Sequence, residues 1–424
     1  MKILHLLMYP LNGSGSGTYA RKLAEKTASE FTQDAVAVLC PDGSMNEIKG
    51  VKIFDLKMPF KVAYTGHPNW PNCKIYSELT NEEMAEIIQS FLKATTETVE
   101  KFKPDVIHCH HASHFAWSSS FIRAIFSINY IVTIHGTGVL CASQDRRWVP
   151  IVRPGLNDAY LINAVSGDTK KWLFKVFGRR LNRKTRIIPG SVDLDTYPRT
   201  GSTNLIDKKY KLKGKKVVIY TGKLTVRKGV EYLIRAAPKI KGEVFIIGGG
   251  DDKERLMELA KKLKTKNITF TGYIDPRSVE EFRQFYRRSN VFVFPSIWDE
   301  PLGLVALEAM ASCTPVVGSK KGGISMAVKN DQTGYLVRAK SPKQITVAVN
   351  KILADPELEK RLGENARKLV EEKFNLKKIA RKFHDIYSQA YENSIKRKKT
   401  KALIGPKELE RERREVKGKR VDYI

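Results

Sequence analysis

Pro295-Ser296-Ile297-Trp298-Asp299-Glu300-Pro301-Leu302-Gly303-Leu304-Val305-Ala306-Leu307-Glu308-Ala309-Met310-Ala311 closes the apolar run Val291–Pro295 and leads into a second, longer apolar segment. The run reads as a strand, the residues around Glu300 as a loop, and Pro301 as lying near a helix start, where its missing N–H is harmless. Ala306, Leu307, Ala309 and Met310 make that helix apolar on most of its surface. A carboxylate at Glu308 is costly in such company unless something hydrogen-bonds to it. Two solvated glutamates on a surface helix are the plain alternative, and the apolar neighbours on both sides of Glu308 speak against it. Strand, loop and helix in this order form one unit of a parallel sheet with helical crossovers.

The same rhythm runs outward in both directions. Lys216–Thr221, Glu243–Gly248, Ile268–Thr271, Pro315–Gly318 and Gly334–Val337 are apolar strands separated by helix-length segments. A first set precedes them: Lys2–Met8, a helix from about Gly17 to Phe31, Ala35–Leu39, Asp105–His108 and Tyr130–His135. The fold expected is α/β, two facing doubly wound, Rossmann-like parallel-sheet domains with a cleft between them. A chain of 424 residues is long enough for two cores of roughly 150–200 residues each. Ile188-Pro189-Gly190-Ser191-Val192-Asp193 interrupts the pattern, so the domains are set at 1–192 and 193–375, a returning C-terminal helix at 376–392, and a charged tail at 393–424. Ligands of open α/β sheets sit at the carboxyl ends of the strands, which places the active site in the cleft.

The formal charge of +30 draws the chain toward polyanions: nucleic acid, anionic lipid or phosphate-bearing substrates. Nucleic-acid recognition would need basic residues interleaved with aromatics on one face, or a recognition motif, and neither is present. The basic tail is instead expected to bring the protein to anionic lipid. Cys40, Cys73, Cys109, Cys141 and Cys313 are scattered without CxxC spacing, as free thiols of a reducing cytosol would be. The apolar start Ile3–Met8 is too short for a signal-peptide core, and no run reaches the roughly 18 residues of a membrane span. The expected location is cytoplasmic, peripheral to the inner membrane surface.

Four further groups of residues carry chemistry. Thr221-Gly222-Lys223-Leu224-Thr225-Val226-Arg227-Lys228-Gly229 follows a strand and offers Lys223 and Lys228 to a bound phosphate, a solvated basic loop being the bland reading. Asn12-Gly13-Ser14-Gly15-Ser16-Gly17-Thr18-Tyr19 follows the first strand, and Gly15 and Gly17 allow close backbone approach to a phosphate or sugar. A dinucleotide fingerprint is not matched, since the second strand ends Leu39-Cys40-Pro41 without an acid. His108, His110, His111, His114 and His135 cluster, but no spacing fits a structural zinc site and there is no HExxH helix, so they read as structural or cleft-lining. Tyr64–Asn72 is turn-rich; its Trp70, and His110 of the histidine cluster, are the candidates for holding an acceptor, with a packed surface loop as the alternative for the former.

At Glu300 and Glu308, with seven residues between them, the sequence resembles the retaining glycosyltransferases of GT-B fold known as family 4. The likeness spans most of residues 1–392 and includes Val217–Gly229, Gly248–Gly250, Phe270–Ile274 and Asp331–Val337. It implies a nucleoside-diphosphate sugar donor, uridine being the commoner base, and a hydroxyl acceptor on a glycan, lipid-linked or small molecule. Glu308 would hold the ribose, Glu300 would lie beside the transferred sugar, and His135 near the donor sugar. Lys223, Lys228, Gly15, Gly17, Tyr273, Gly303 and Leu304 complete the donor set. Glu300, His135 and Lys228 are the catalytic candidates, and no metal is expected. The family's first basic residue is usually arginine where this chain has Lys223, and its glutamate after a paired glycine is missing, since Gly322-Gly323-Ile324-Ser325 leads to Met326. A nucleotide-sugar epimerase or a phosphorylase on the same scaffold is the nearer rival, and a polyanion-binding protein the more distant one.

Overall fold

Val106–His110 and Asn129–Ile134 are buried at every position, as strands covered on both faces must be. They are the centre of a parallel sheet whose order among the described residues is Val51–Asp55, Ala35–Cys40, Lys2–Leu6, Val106–His110, Asn129–Ile134, Leu161–Ala164 and Thr185–Ile187. A second parallel sheet runs Ile268–Gly272, Glu243–Ile247, Val217–Thr221, Val291–Phe294, Val316–Ser319 and Gly334–Val337. The computed structural model describes residues 1–43, 47–67, 70, 72–274 and 279–403, with side chains as far as Lys398 except Val279. Both domains are Rossmann-like, and in each the strand order reverses beside the first strand. Two strands without a clear sequence signal are the sheet's edges: Val51–Asp55 carries Lys52 and Asp55 with only partial burial, and Thr185–Ile187 is three residues long. Leu161–Ala164 was also passed over, although it is wholly buried.

Helix Gly15–Glu30 starts earlier than its apolar pattern, because Ser14 caps it by accepting from the Gly17 N–H. The last helix, Leu376–Leu403, departs more from expectation, since it does not stop at 392. Ile379, Ala380, Phe383, Ile386, Tyr387 and Ala390 pack into the core of the first domain. Past them Ser394 Oγ accepts from the Asn129 N–H, and Asn129 Nδ2 donates to Ala390 O and Asn393 Oδ1. Arg397 donates to Asn129 Oδ1 at 3.3 Å. Lys396, Arg397 and Lys398 thus ride on an anchored helix instead of opening a loose tail, while Glu408–Arg420 lies outside the described residues. The chain crosses between domains twice at one place, where Val192 and Asn375 form a parallel bridge. Tyr387 Oη bonds His108 Nδ1 at 2.7 Å, tying this helix to the sheet's central strand. Tyr387→Phe should cost about 1–2 kcal/mol in urea denaturation, the price of an unpaired buried nitrogen.

All five cysteines are free. Among the described residues no helix is long and apolar enough to cross a membrane.

Candidate functional site at the strand-order reversal of the second sheet

The loops that follow Val217–Thr221 and Val291–Phe294 flank the point where the second sheet reverses its order, the position at which such sheets bind ligands. They are hydrogen-bonded to one another: Ile297 N–H donates to Arg227 O at 3.0 Å, and Ser296 Oγ to the same carbonyl at 3.2 Å. This brings Lys228, on the short 3-10 turn Val226–Lys228, to Glu300. Lys228 Nζ donates to Glu300 Oε1 at 2.6 Å, and Ser296 Oγ donates to the same oxygen at 2.9 Å. Glu300 is 3% exposed. The lysine retains a quarter of its side-chain surface (26%), so the pair is buried on the acid side and open on the basic side.

Gly322 and Gly323 press against the backbone of this acid. Gly323 N–H donates to Glu300 O at 2.6 Å, and a Cβ on either glycine would fall within 2.2 Å of the Glu300 or Pro301 carbonyl oxygen. Met326 packs against the core of the second domain.

Helix Leu304–Ala311 begins at Gly303, whose φ of 92° and ring contact with Phe294 exclude a side chain there. No side chain caps this terminus, so its backbone N–H groups remain open to an anion. Glu308 lies one turn further on, partly exposed. Tyr286 Oη donates to its Oε2 at 2.9 Å. Burial raises its pKa, and Lys22, Tyr286 and Tyr197 pull it back. Lys228 pairs with Glu300, and the cation acting on Glu308 is Lys22 of the first domain, which no local pattern marks. Tyr286, Tyr197 and Ser296 were missed as well, although Ser296 stands only four residues before Glu300.

The two domains meet across this site. A Cβ on Gly136 would lie 2.6 Å from Pro301 Cγ, and one on Gly190 2.8 Å from Leu302 Cδ2 and 2.9 Å from Leu304 Cδ2. His135 immediately precedes Gly136, and its ring packs against Tyr19, His110 and His111; burial pushes its pKa down to about 3 and keeps the ring neutral. Lys223 reaches the opposite wall, with Nζ 3.5 Å from where a Cβ of Gly66 would sit, and helps burial push His67 down to about 4. Tyr273 is 59% exposed beyond the end of strand Ile268–Gly272, next to Gly249. Gly15 is exposed with open space around it, whereas Gly17 is packed 2.3 Å (as Cβ) from Pro10 O, a structural reason for its lack of a side chain.

Two acceptor candidates do not fit. Trp70 is 4% exposed, donates its indole N–H to Asp42 at 2.8 Å and packs beside His67 and Tyr9, so its ring is part of a wall and not a platform for a sugar. His110 is fully buried between His5 and His135. Pro68, Asn69 and Pro71 of that loop lie outside the described residues.

Residues 202–369 match the family of group 1 glycosyl transferases, and residues 13–196 match glycosyltransferase family 4. An uncharacterized glycosyltransferase of Methanocaldococcus jannaschii is 30% identical over 309 residues, 68% of this chain and 76% of that protein. The N-acetyl-alpha-D-glucosaminyl L-malate synthase of Bacillus anthracis is 25% identical over 299 residues, 69% and 76% of the two chains. Among solved structures, sucrose-phosphate synthase from Thermosynechococcus elongatus superposes with a TM-score of 0.73 at 24% identity, covering 93% of this chain and all (100%) of that one. Anabaena HepE in complex with UDP-glucose superposes with a TM-score of 0.71 at 17% identity, covering 92% and 100%. These superpositions establish the shared two-domain architecture.

Proposed function

Since the chain belongs to the group 1 glycosyltransferases and has their GT-B fold, we propose that it moves a sugar from a nucleoside-diphosphate donor to a hydroxyl acceptor, with retention and without a metal ion. The observation that carries this reading is the Lys228–Glu300 pair at the strand-order reversal, beside an uncapped helix terminus that bears Glu308 on its next turn. Tyr273 and Gly249 flank the place for the base, and Glu308 accepts from the ribose hydroxyls. Lys223, Lys228 and the N–H groups of Gly303 and Leu304 take the diphosphate. The sugar then lies toward His135 and Glu300.

Lys228 and Lys223 do the work assigned elsewhere to a dication. Each charge-assisted hydrogen bond to the departing phosphate is worth about 1.5–3 kcal/mol, or roughly one to two decades in rate if made fully only in the transition state. Glu300 accepts from both Lys228 and Ser296 at one oxygen, an engaged geometry that suits an electrostatic role beside the developing positive charge better than that of a free nucleophile. The acceptor attacks from the face the diphosphate leaves, and the diphosphate takes the acceptor's proton. Relatives support a sugar-nucleotide donor, and HepE was solved with UDP-glucose.

A thermal-shift series with UDP, ADP and GDP, each with and without EDTA, tests the donor site. At a ligand concentration of about 100 Kd the stabilisation is about 2.7 kcal/mol, a rise in Tm of about 5 °C for a domain of this size. UDP is expected to give the largest rise, unchanged by EDTA. No shift from any nucleotide, or a shift that needs Mg²⁺, would overturn the reading. Sugar converted without any acceptor would overturn transfer itself.

A further inference from the structure

His135 is the outer member of a row of imidazoles. His5 Nδ1 lies 3.2 Å from His110 Nε2, and His110 Nδ1 lies 3.1 Å from His135 Nε2. His5 and His110 are fully buried, while His135 is partly exposed, and its Nδ1 has no hydrogen-bond partner among the described residues. Burial holds His5 and His135 down to about 3 and His110 well below its ordinary value, the surrounding imidazoles adding to the effect on His110. Each ring is therefore neutral at physiological pH, with one N–H and one lone pair.

The row has the spacing of a metal site on its inner side, where ring nitrogens of His5, His108 and His110 fall within 4.8 Å of one another. His108, however, has both nitrogens engaged at 2.7 Å, by Tyr387 Oη and Thr133 Oγ1, and the group holds no carboxylate to offset a buried dication. Its chemistry is that of a hydrogen-bonded network.

Neutral imidazoles in a row have two consistent hydrogen-bond directions. If His135 donates through Nε2, His110 must donate through its own Nε2 to His5, and the His5 Nε2–H ends in the core. If His5 donates through Nδ1, His110 donates through Nδ1 to His135, and only the lone pair of His5 Nε2 ends there. His5 Nε2 is buried without a protein partner in either case. An orphaned buried N–H is the rarer and more costly of the two ends. We propose that the second direction holds, so that His110 is a positioning residue that fixes His135 as its Nδ1–H tautomer and makes it a hydrogen-bond donor to the sugar in the cleft. The part concerning the sugar rests on the donor site proposed above, whereas the tautomer does not.

The experiment uses the full chain labelled with ¹⁵N-histidine, in which long-range ¹H–¹⁵N correlations identify the protonated nitrogen of each ring. His5, His110 and His135 should all carry hydrogen on Nδ1. His110→Phe should release His135 from its single tautomer. His5→Phe should leave it, because the lone pair of His110 Nε2 then becomes the buried end. With UDP and UDP-glucose as probes, His110→Phe should leave the UDP-induced rise in Tm unchanged and cut the added affinity for UDP-glucose about tenfold. Wild-type His135 protonated on Nε2 would overturn the proposal without recourse to any variant, as would an unaltered His135 tautomer in His110→Phe. Failure of UDP-glucose to bind the wild type would count against the donor site, and the spectra of the free protein would still decide the tautomer.

Discussion

Lys228→Ala is expected to lower kcat/KM by about 10²–10³, the range for loss of one fixed charge that stabilises a leaving oxyanion. It should also destabilise the fold, because Glu300 would remain buried with only Ser296 as partner. Breaking a fully buried pair costs about 3–5 kcal/mol; Lys228 keeps a quarter of its side-chain surface, so about 2–3 kcal/mol is expected here. The two losses can be separated. Lys228→Ala with Glu300→Gln replaces the stranded carboxylate by a neutral amide and should recover most of the stability in urea denaturation, with no recovery of activity. Glu300→Gln alone keeps acceptor geometry for Lys228 and Ser296 and should lower kcat far more than it raises KM. A Lys228→Ala enzyme within threefold of wild-type activity would remove Lys228 from the mechanism.

Glu308→Ala is expected to weaken donor binding about 100-fold with little change in kcat, since the ribose hydroxyls lose a charged acceptor worth about 1.5–3 kcal/mol per bond. The same residue gives a pH signature. Burial raises its folded pKa above that of an exposed glutamate, so the carboxylate that binds the ribose is lost as pH falls through that raised value. Stability moves the opposite way: a raised folded pKa gives a contribution present below the unfolded pKa and lost as pH rises through the folded one. At neutral pH, Glu308→Gln should thus melt higher than wild type and bind donor worse. Calorimetric titration with UDP and thermal melts across pH 4–8 would show both; affinity and stability falling together would mean that Glu308 serves only the packing of its helix.

The outcome at particular residues shows what could be read in advance. Gly334–Val337 is legible to the residue because it stands between turn signals, whereas the apolar chain neighbours of Glu308 point to a buried acid and the structure leaves it partly exposed. Gly17 has a packing reason that the local pattern does not show, since a Cβ there would meet the Pro10 carbonyl of the preceding turn. Trp70 stays open between an acceptor contact and a packed loop in the sequence, because sequence cannot tell an indole that packs inward against Asp42 and His67 from one that faces a cleft. The end of the last helix was misplaced because its charged residues look like a tail, and the partner that orders them, Asn129, is far away in the chain.

Sequence by itself determined that the chain builds two parallel sheets, since most of their strands are contiguous apolar runs, as burial on both faces requires, and that requirement is written locally. It also marked the acids and lysines of the cleft as types. Which acid meets which lysine was decided only by the tertiary structure: Lys228 and Glu300 are 72 residues apart and become neighbours because strand order reverses between their two loops. The same holds for His5 and His110, 105 residues apart, joined because their strands lie side by side. Pairing energies fall off steeply with distance, so the sign and strength of each contact depend on positions that no local pattern encodes.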